Sequence, residues 1–138
     1  MNFISLTYTS LVRPDFQPAD LQNLVDRGRA SNEAAGITGL LIFNGTHFLH
    51  VFEGKHRAAE DLLKRLRDDL RHTGLEVRDE RKIGHRSFPD WPLEMLLVDA
   101  NYFQARDAIG DRLPSTVPEV IKMRLLRMTE LISTMDFS

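Results

Sequence analysis

The 138-residue chain has no cysteine and a single tryptophan. Without cysteine it has no disulfide, no thiolate nucleophile and no thiol-based metal site. Its apolar runs are all shorter than the roughly 20 residues that cross a bilayer. The formal net charge of −2 argues against a nucleic-acid or anionic-membrane partner held by bulk charge. No basic segment followed by a long apolar one opens the sequence, so no signal peptide is predicted and we expect a cytoplasmic protein.

The composition is that of an ordinary globular protein, with 42% hydrophobic and 28% charged residues. The length suits one domain with a sizeable core. No internal repeat, low-complexity tract or linker divides the chain. We predict a single domain over residues 1–138, with its core over residues 1–100 and a helical cap over residues 101–138.

The segment at residues 36–54 predicts the centre of the fold. Two apolar runs, residues 37–43 and 48–52, flank Asn44-Gly45, which indicates a hairpin with a type I′ turn. Both faces of this hairpin are apolar, so both need covering and the hairpin belongs at the centre of a sheet. His50 is a polar side chain inside the second run, on the face shared by Phe48 and Phe52. A buried polar group needs a partner, and we interpret that partner as a bound ligand.

The remaining patterns predict two core helices and three further strands. Strands are expected over residues 2–9, 75–83 and 93–98, the second as a charged edge and the third buried. Helices are expected from about residue 18 to Ser31-Asn32, and from about residue 55 to Arg71-His72. A short helix around residues 101–111 and a long apolar one over residues 118–134 follow. This order indicates an α+β, ferredoxin-like β-α-β-β-α-β-β sheet, whose second face the two C-terminal helices cover.

Standard catalytic and metal motifs do not occur in the sequence. There is no Gly-rich phosphate loop, nucleophile elbow or HExxH. Five histidines are present, but His47 and His50 are three apart on one strand and face opposite sides of the sheet. We therefore predict no metal site.

A set of residues is predicted to border the cleft between the two core helices. Each has a common structural explanation when taken singly, as a core tyrosine, a helix cap or a favourable cation at a helix end. Gly28, inside the first helix, indicates either close approach of something to the backbone or a merely tolerated glycine. Together they suit a flat heteroaromatic ligand with an anionic tail near Arg71. The polar members are Tyr8, Asn32, His50, Arg71 and His72, and the apolar walls are Leu24, Leu41 and Phe48.

The chain resembles the BLUF family, the blue-light sensors that use FAD. The resemblance covers roughly residues 2–100, and the two C-terminal helices are similar to the cap of short, single-domain members. The motifs that carry it are Tyr8-Thr9-Ser10, Ser31-Asn32, Ile37-Thr38-Gly39-Leu40-Leu41, Phe48-Leu49-His50-Val51-Phe52-Glu53-Gly54, Asp69-Leu70-Arg71-His72 and Phe88-Pro89-Asp90-Trp91.

The resemblance implies a bound flavin. FAD is the flavin that the family uses, and FMN or riboflavin are alternatives. Tyr8 would donate an electron and a proton to the photoexcited flavin. Asn32 would hold the pyrimidine edge of the ring, with Ser10 nearby. Arg71 and His72 would line its other side.

The resemblance also implies a relay, and one departure from the family pattern affects the chemistry. Trp91 and Leu93 would pass the change to the sheet and the cap, although methionine often stands at the position of Leu93. Ser31 also differs from the residue frequent at its position. His50 stands where the family has a glutamine whose amide rearranges between Tyr8 and the flavin. A neutral imidazole offers one donor and one acceptor, cannot perform that rearrangement, and could instead change protonation near neutral pH.

Three functions remain open on the sequence. The first is a blue-light sensor that signals through a partner protein or a homo-oligomer, using the charged edge strand or the C-terminal helices. The second is a BLUF-like interaction module without photochemistry or flavin, in which His50 bonds to Tyr8. The third, a small flavin-dependent enzyme, has no second substrate-handling group of residues, so we predict that the chain is not an enzyme.

Overall fold

The structure, a computed structural model, describes residues 3–97, 109–110 and 112–134. None of the helices within these ranges is long and apolar enough to cross a bilayer. The elements are β1 (Phe3–Val12), α1 (Pro18–Ala35), β2 (Thr38–Phe43), β3 (His47–Lys55), α2 (His56–Arg67), β4 (His72–Ile83), β5 (Glu94–Leu97) and α3 (Glu119–Thr134).

The five strands form one mixed sheet in the order β4-β1-β3-β2-β5. The pairs β1–β4, β1–β3 and β2–β3 are antiparallel, and β2–β5 is parallel. The units β1-α1-β2 and β3-α2-β4 interleave, which confirms the ferredoxin-like α+β fold and the central place of the hairpin. The charged strand β4 lies at one edge, as predicted. The prediction that the last strand is buried was wrong, since β5 forms the other edge and Leu97 is 60% exposed.

The two faces of the sheet are covered by different helices. On one face α1 and α2 pack over β1 and β3, with Ile4, Leu6, Phe52 and Leu62 in the core. On the other, which we call the cap face, α3 packs over β2 and β3, as predicted. The buried residues of the cap face are Leu40, Ile42, Leu49, Val51, Phe88, Leu96, Ile109, Leu125 and Leu126. The short helix expected around residues 101–111 falls largely outside the described residues.

The turn of the central hairpin differs from the predicted type I′. Gly45 has a φ of 97°, but no non-glycine residue among those described has a positive φ, so Asn44 does not adopt the left-handed conformation that type I′ requires. Instead the Asn44 side-chain oxygen accepts hydrogen bonds from the backbone N–H groups of Thr46 (3.0 Å) and His47 (2.7 Å). The asparagine therefore shapes the turn through its side chain.

The first helix does not end at Ser31-Asn32 as predicted. It continues for another turn to Ala35 and ends at Gly36, whose φ of 70° is the left-handed conformation common after helices. Asn32 is thus an interior residue of α1. Its amide bonds to a distant part of the chain, described below, and so does not terminate the helix.

The second helix ends earlier than predicted, at Arg67. Arg71 lies in the following turn and His72 is the first residue of β4, so neither belongs to the helix. The Asp69 carboxylate accepts the backbone N–H of Arg71 at 2.9 Å, which reverses the chain after the helix. Strand β1 is also longer than predicted, because Val12 still pairs with His72.

Candidate functional site

A cleft with a volume of about 210 Å³ lies between α1 and α2, above β1 and β3. It brings together most of the residues that the sequence placed there. Those residues are Tyr8, Leu24, Gly28, Asn32, Leu41, Phe48, His50, Arg71 and His72, and Leu93 also lines the cleft. Sequence reasoning gave no site role to six other lining residues, Arg27, Ser31, Leu62, Arg65, Leu66 and Asp69.

The floor of the cleft holds a buried pair of polar rings. Tyr8 and His50 lie directly opposite each other in the β1–β3 ladder, so their side chains share a face of the sheet. The Tyr8 hydroxyl and His50 Nδ1 are 3.1 Å apart, and the two rings meet edge to face with centroids 5.3 Å apart. Tyr8 is 3% exposed and His50 is 4% exposed. The sheet register thus builds the pair.

The other imidazole nitrogen of His50 is unpaired. Nε2 is buried and has no hydrogen-bond partner among the described residues. Burial, together with a smaller effect of the nearby His72, lowers the pKa of His50 to about 3. The ring is therefore neutral at physiological pH, which contradicts the idea that it changes protonation near neutrality. An unsatisfied buried polar atom costs about 1–3 kcal/mol, so this nitrogen calls for a ligand.

Tyr8 is also neutral. Burial raises the pKa of its phenol, and the charge of Asp69 raises it further, while Arg71 opposes both. The phenol therefore keeps its hydrogen throughout the physiological range. It has a proton to donate at the floor of the cleft.

Arg71 is paired with Asp69. Its Nε is 2.9 Å from Oδ1 and its Nη2 is 2.6 Å from Oδ2, which makes a two-point ion pair. Burial opposes ionisation of Asp69, but the hydrogen bonds and charge of Arg71 outweigh it and hold the pKa of that carboxyl below its usual range. The guanidinium on which the sequence prediction of an anionic tail rested is thus neutralised by a neighbour.

Two exposed arginines lie at the mouth of the cleft, Arg27 on α1 and Arg65 on α2. Arg65 Nη1 donates to the Ser31 hydroxyl at 3.3 Å. Within the described ranges Arg27 forms no ion pair. The sequence carried no signal for either arginine, because their place at the mouth depends on how α1 and α2 pack against the sheet.

His72 differs from His50 in that both its nitrogens are used. Nε2 is 2.6 Å from the Leu66 carbonyl oxygen, which only accepts, so Nε2 carries hydrogen. In the neutral ring Nδ1 then accepts from the Ser10 hydroxyl at 2.7 Å. Ser10 itself does not line the cleft. It supports His72, which borders the cleft with a ring that has no polar atom to spare.

Asn32 and Arg29 of α1 hold the segment just before β5. Asn32 Nδ2 donates to the Pro92 carbonyl at 2.8 Å, and Arg29 Nε donates to the Leu93 carbonyl at 3.1 Å. The Leu93 side chain then approaches α1 so closely that a Cβ at Gly28 would lie 2.8 Å from its Cδ2. The close approach that Gly28 indicated is therefore that of Leu93.

Trp91 occupies a different environment from Leu93. It is not among the residues that line the cleft, and it stacks on Phe88 with ring centroids 5.8 Å apart. Both rings pack against the cap face. Trp91 and Leu93, the two residues with a predicted relay role, thus lie on opposite faces of the sheet.

The cleft fits a flat heteroaromatic ring. Its walls are largely aliphatic and aromatic, and one unpaired nitrogen lies at its floor. A model of the family of sensors of blue light using FAD, BLUF, matches residues 3–94. The chain belongs to the BLUF family. It is a flavin-binding sensor domain for blue light.

Relatives of this BLUF domain agree in sequence and in fold. The blue light- and temperature-regulated antirepressor BluF of Escherichia coli is 29% identical over 68 residues, which are 49% of this chain and 17% of BluF. The chain therefore spans about a sixth of that curated relative. The dark-state structure of BlrB is 29% identical, with a TM-score of 0.73 and 96% of both chains covered. The BLUF domain of BlrP1 is 31% identical, with a TM-score of 0.79, covering 97% of this chain and 89% of that one.

Proposed function

We propose that this BLUF domain holds the isoalloxazine ring of FAD or FMN in the cleft, with the ring accepting a hydrogen bond from His50 Nε2. The main support for this proposal is that His50 Nε2 has no hydrogen-bond partner among the described residues. Pockets that enclose a drug-sized ligand have volumes of about 300–1,000 Å³, so this smaller cleft suits the ring alone. The ribityl chain and phosphate would then reach the mouth, where Arg27 and Arg65 supply positive charge. A Klebsiella pneumoniae BlrP1 structure with FMN, 28% identical and covered over 35% of its chain, supports FMN as well as FAD.

The hydrogen-bond direction follows from a count of unpaired groups. If Nδ1 carried the hydrogen, it would donate to the Tyr8 oxygen, and the phenol hydrogen and Nε2 would both lack partners among the described residues. If the phenol donates to Nδ1, only Nε2–H is left unpaired. Since each buried unpaired group costs about 1–3 kcal/mol, the second arrangement is favoured. His50 therefore presents an N–H donor to the cleft.

The bound flavin would supply blue-light absorption and an excited ring that accepts an electron. Tyr8 is the donor within reach of His50, and its buried phenol keeps its proton until oxidation makes it acidic. His50 Nδ1 is the atom that receives this proton. The imidazole has no amide to rotate, so the hydrogen bond to the ring changes less than it would with glutamine. We therefore expect a small light-induced spectral shift.

The alternative that the sequence left open, an interaction module without flavin, has less support than the flavin sensor. The Tyr8–His50 bond forms in the protein chain by itself, which favours it. The unpaired Nε2 argues against it, because a purely structural histidine would have both nitrogens satisfied, as His72 has. The downstream partner protein, the homo-oligomer and the cytoplasmic location stay predictions, and so does the absence of enzymatic activity.

The absorption spectrum of purified protein, with and without illumination, tests the proposal. We expect the visible band of oxidised flavin, and a small red shift in light that His50→Gln enlarges. His47→Gln is the matched control, because His47 lies on the same strand and faces the opposite side of the sheet. A colourless protein that takes up no added flavin would refute the proposal and favour the interaction module. An identical light-minus-dark spectrum in wild type and His50→Gln would contradict contact between His50 and the ring.

A further inference from the structure

A buried carboxylate on β3 lies outside the cleft. Glu53 is three residues after His50, is 1% exposed, and points to the other face of the sheet. Its oxygens accept the backbone N–H groups of Ser87 (3.0 Å) and Phe88 (2.6 Å), and the hydroxyl of Thr38 (3.1 Å). Hydrogen bonds to a charged acceptor are about twice as strong as neutral ones. Strand β3 thus fixes two successive residues of the loop that follows β4.

This loop, residues 84–93, joins the sheet to both the cap and the cleft. The Ser87 carbonyl accepts the hydroxyl of Thr116, just before α3, at 2.7 Å. The Phe88 side chain is fully buried in the cap face, in the same hydrophobic cluster as Leu125 of α3. At its far end Leu93 lines the cleft. Glu53 therefore holds the part of the loop that contacts the approach to α3.

Helix α3 has a second polar attachment that does not involve this loop. Arg124 Nη1 is 2.6 Å from the Asp79 carboxylate on β4. Asp79 also pairs with Arg81 of the same strand, at 2.8 Å. This link holds α3 to the edge of the sheet, whereas the Glu53 link runs from its centre.

We propose that Glu53 is a positioning residue that carries a change at His50 to α3 through Ser87 and Thr116. The proposal rests on the contact between His50 and flavin proposed above. An extended strand rises about 3.3 Å per residue, so the two side chains originate roughly 10 Å apart on one stiff segment. A shift of the strand at His50 displaces Glu53. The two hydrogen bonds from the Ser87 and Phe88 N–H groups to the Glu53 carboxylate then pass the displacement to the loop.

The variant Glu53→Gln tests this relay without touching the cleft. Its amide nitrogen donates and cannot accept, so either Ser87 or Phe88 loses its acceptor while the side-chain size is kept. We expect the light-minus-dark flavin spectrum of the wild type, together with a several-fold smaller light–dark difference in hydrogen exchange over residues 116–126. An unchanged exchange difference there would overturn the proposal.

Asp79→Asn is the control for general loosening of α3. It weakens the pair with Arg124 and leaves Glu53 and the loop intact. We expect faster exchange of α3 in darkness and in light alike, with the light–dark difference preserved. If Asp79→Asn removes that difference as fully as Glu53→Gln, the effect is one of loosening and the relay is refuted.

Two further measurements keep the proposal testable. If Glu53→Gln does not fold, Thr116→Val removes only the hydroxyl that bonds Ser87, and should suppress the difference in α3 while residues 84–93 still respond. An unchanged difference in α3 would count against the relay.

If the wild type shows no light-induced spectral change, the proposed photochemistry is refuted but the relay can still be tested. Hydrogen exchange is then compared between flavin-loaded and flavin-free protein. Glu53→Gln should then suppress the flavin-dependent exchange difference in α3. A wild-type-sized difference in the variant, or none in the wild type, would refute the relay.

Discussion

The two faces of the central sheet are built for different tasks. On the cap face, aliphatic side chains of β2 and β3 pack against α3, and Leu49 and Ile42 have no exposed surface. On the α1/α2 face the same two strands border a cleft of about 210 Å³, and His50 keeps an unpaired nitrogen. Within the described ranges, the buried side-chain nitrogen that lacks a hydrogen-bond partner lies on the second face. The comparison teaches that side chains fill the cap face of β3, whereas the other face combines a packed core around Phe52 with a cleft that leaves room for a ligand.

The largest difference between the faces should appear in stability. Leu49→Ala on the cap face removes a fully buried side chain and should lower the free energy of unfolding by about 3 kcal/mol. Leu66→Ala on the cleft face removes a half-buried one and should cost about 1 kcal/mol. Urea unfolding of flavin-free protein measures both. Equal losses would mean that Leu66 is packed beside the cleft as tightly as Leu49 is packed on the cap face.

Removal of one hydroxyl should separate light sensing from binding. Tyr8→Phe leaves both nitrogens of His50 without a protein partner, so flavin-free protein should lose about 1–3 kcal/mol of stability. The variant should still bind flavin and should lose the light-minus-dark spectrum. Thr9→Val is the control, since it removes a buried hydroxyl that bonds Arg78 on the other face. A normal light response in Tyr8→Phe would exclude the phenol as the donor.

The sequence predicted the floor of the cleft well, because the alternation of strand residues is a strong signal. His50 falls on the same face as Phe48 and Phe52 by counting alone, and the register then places Tyr8 opposite it. The ends of helices were predicted less well. Asn32 was assigned to the end of α1, but its amide bonds to Pro92, sixty residues away. No local signal reports such a contact, so tertiary structure decided the outcome.

The charges at the cleft were missed for a related reason. Arg71 looked like a free cation, but the turn after α2 folds the Asp69 carboxylate back onto it. The sequence analysis gave no role to Arg27 or Arg65. Their position at the mouth depends on how α1 and α2 pack, which the helical period of each helix alone does not give.

The pH dependence of stability should report the buried imidazole. Because the folded-state pKa of His50 is about 3 and the unfolded value is 6.5, the unfolded chain binds more protons in between. Stability is therefore complete above pH 6.5 and is lost as the pH falls toward 3. Between pH 6.5 and 5, flavin-free wild type should lose about 1–2 kcal/mol more than His50→Gln. Parallel urea curves for the two proteins at both pH values would show that His50 is solvated.

The smallest effect concerns the mouth of the cleft. Arg65→Ala should weaken FMN and FAD binding a few-fold, in line with about 1 kcal/mol or less for an exposed charge pair. Riboflavin, which has no phosphate, should bind both proteins equally. Arg67→Ala is the matched control, as an exposed arginine of α2 that does not line the cleft. A loss of riboflavin affinity would assign Arg65 to ring binding.

The central claim is that His50 offers its unpaired Nε2–H to the flavin while Nδ1 accepts from Tyr8. Nitrogen NMR of ¹⁵N-histidine-labelled protein, titrated with flavin in darkness, measures both ring nitrogens directly. The account predicts a protonated Nε2 whose resonance moves on binding, and an unprotonated Nδ1 that moves little. A protonated Nδ1, or an Nε2 resonance that ignores saturating flavin, would contradict it.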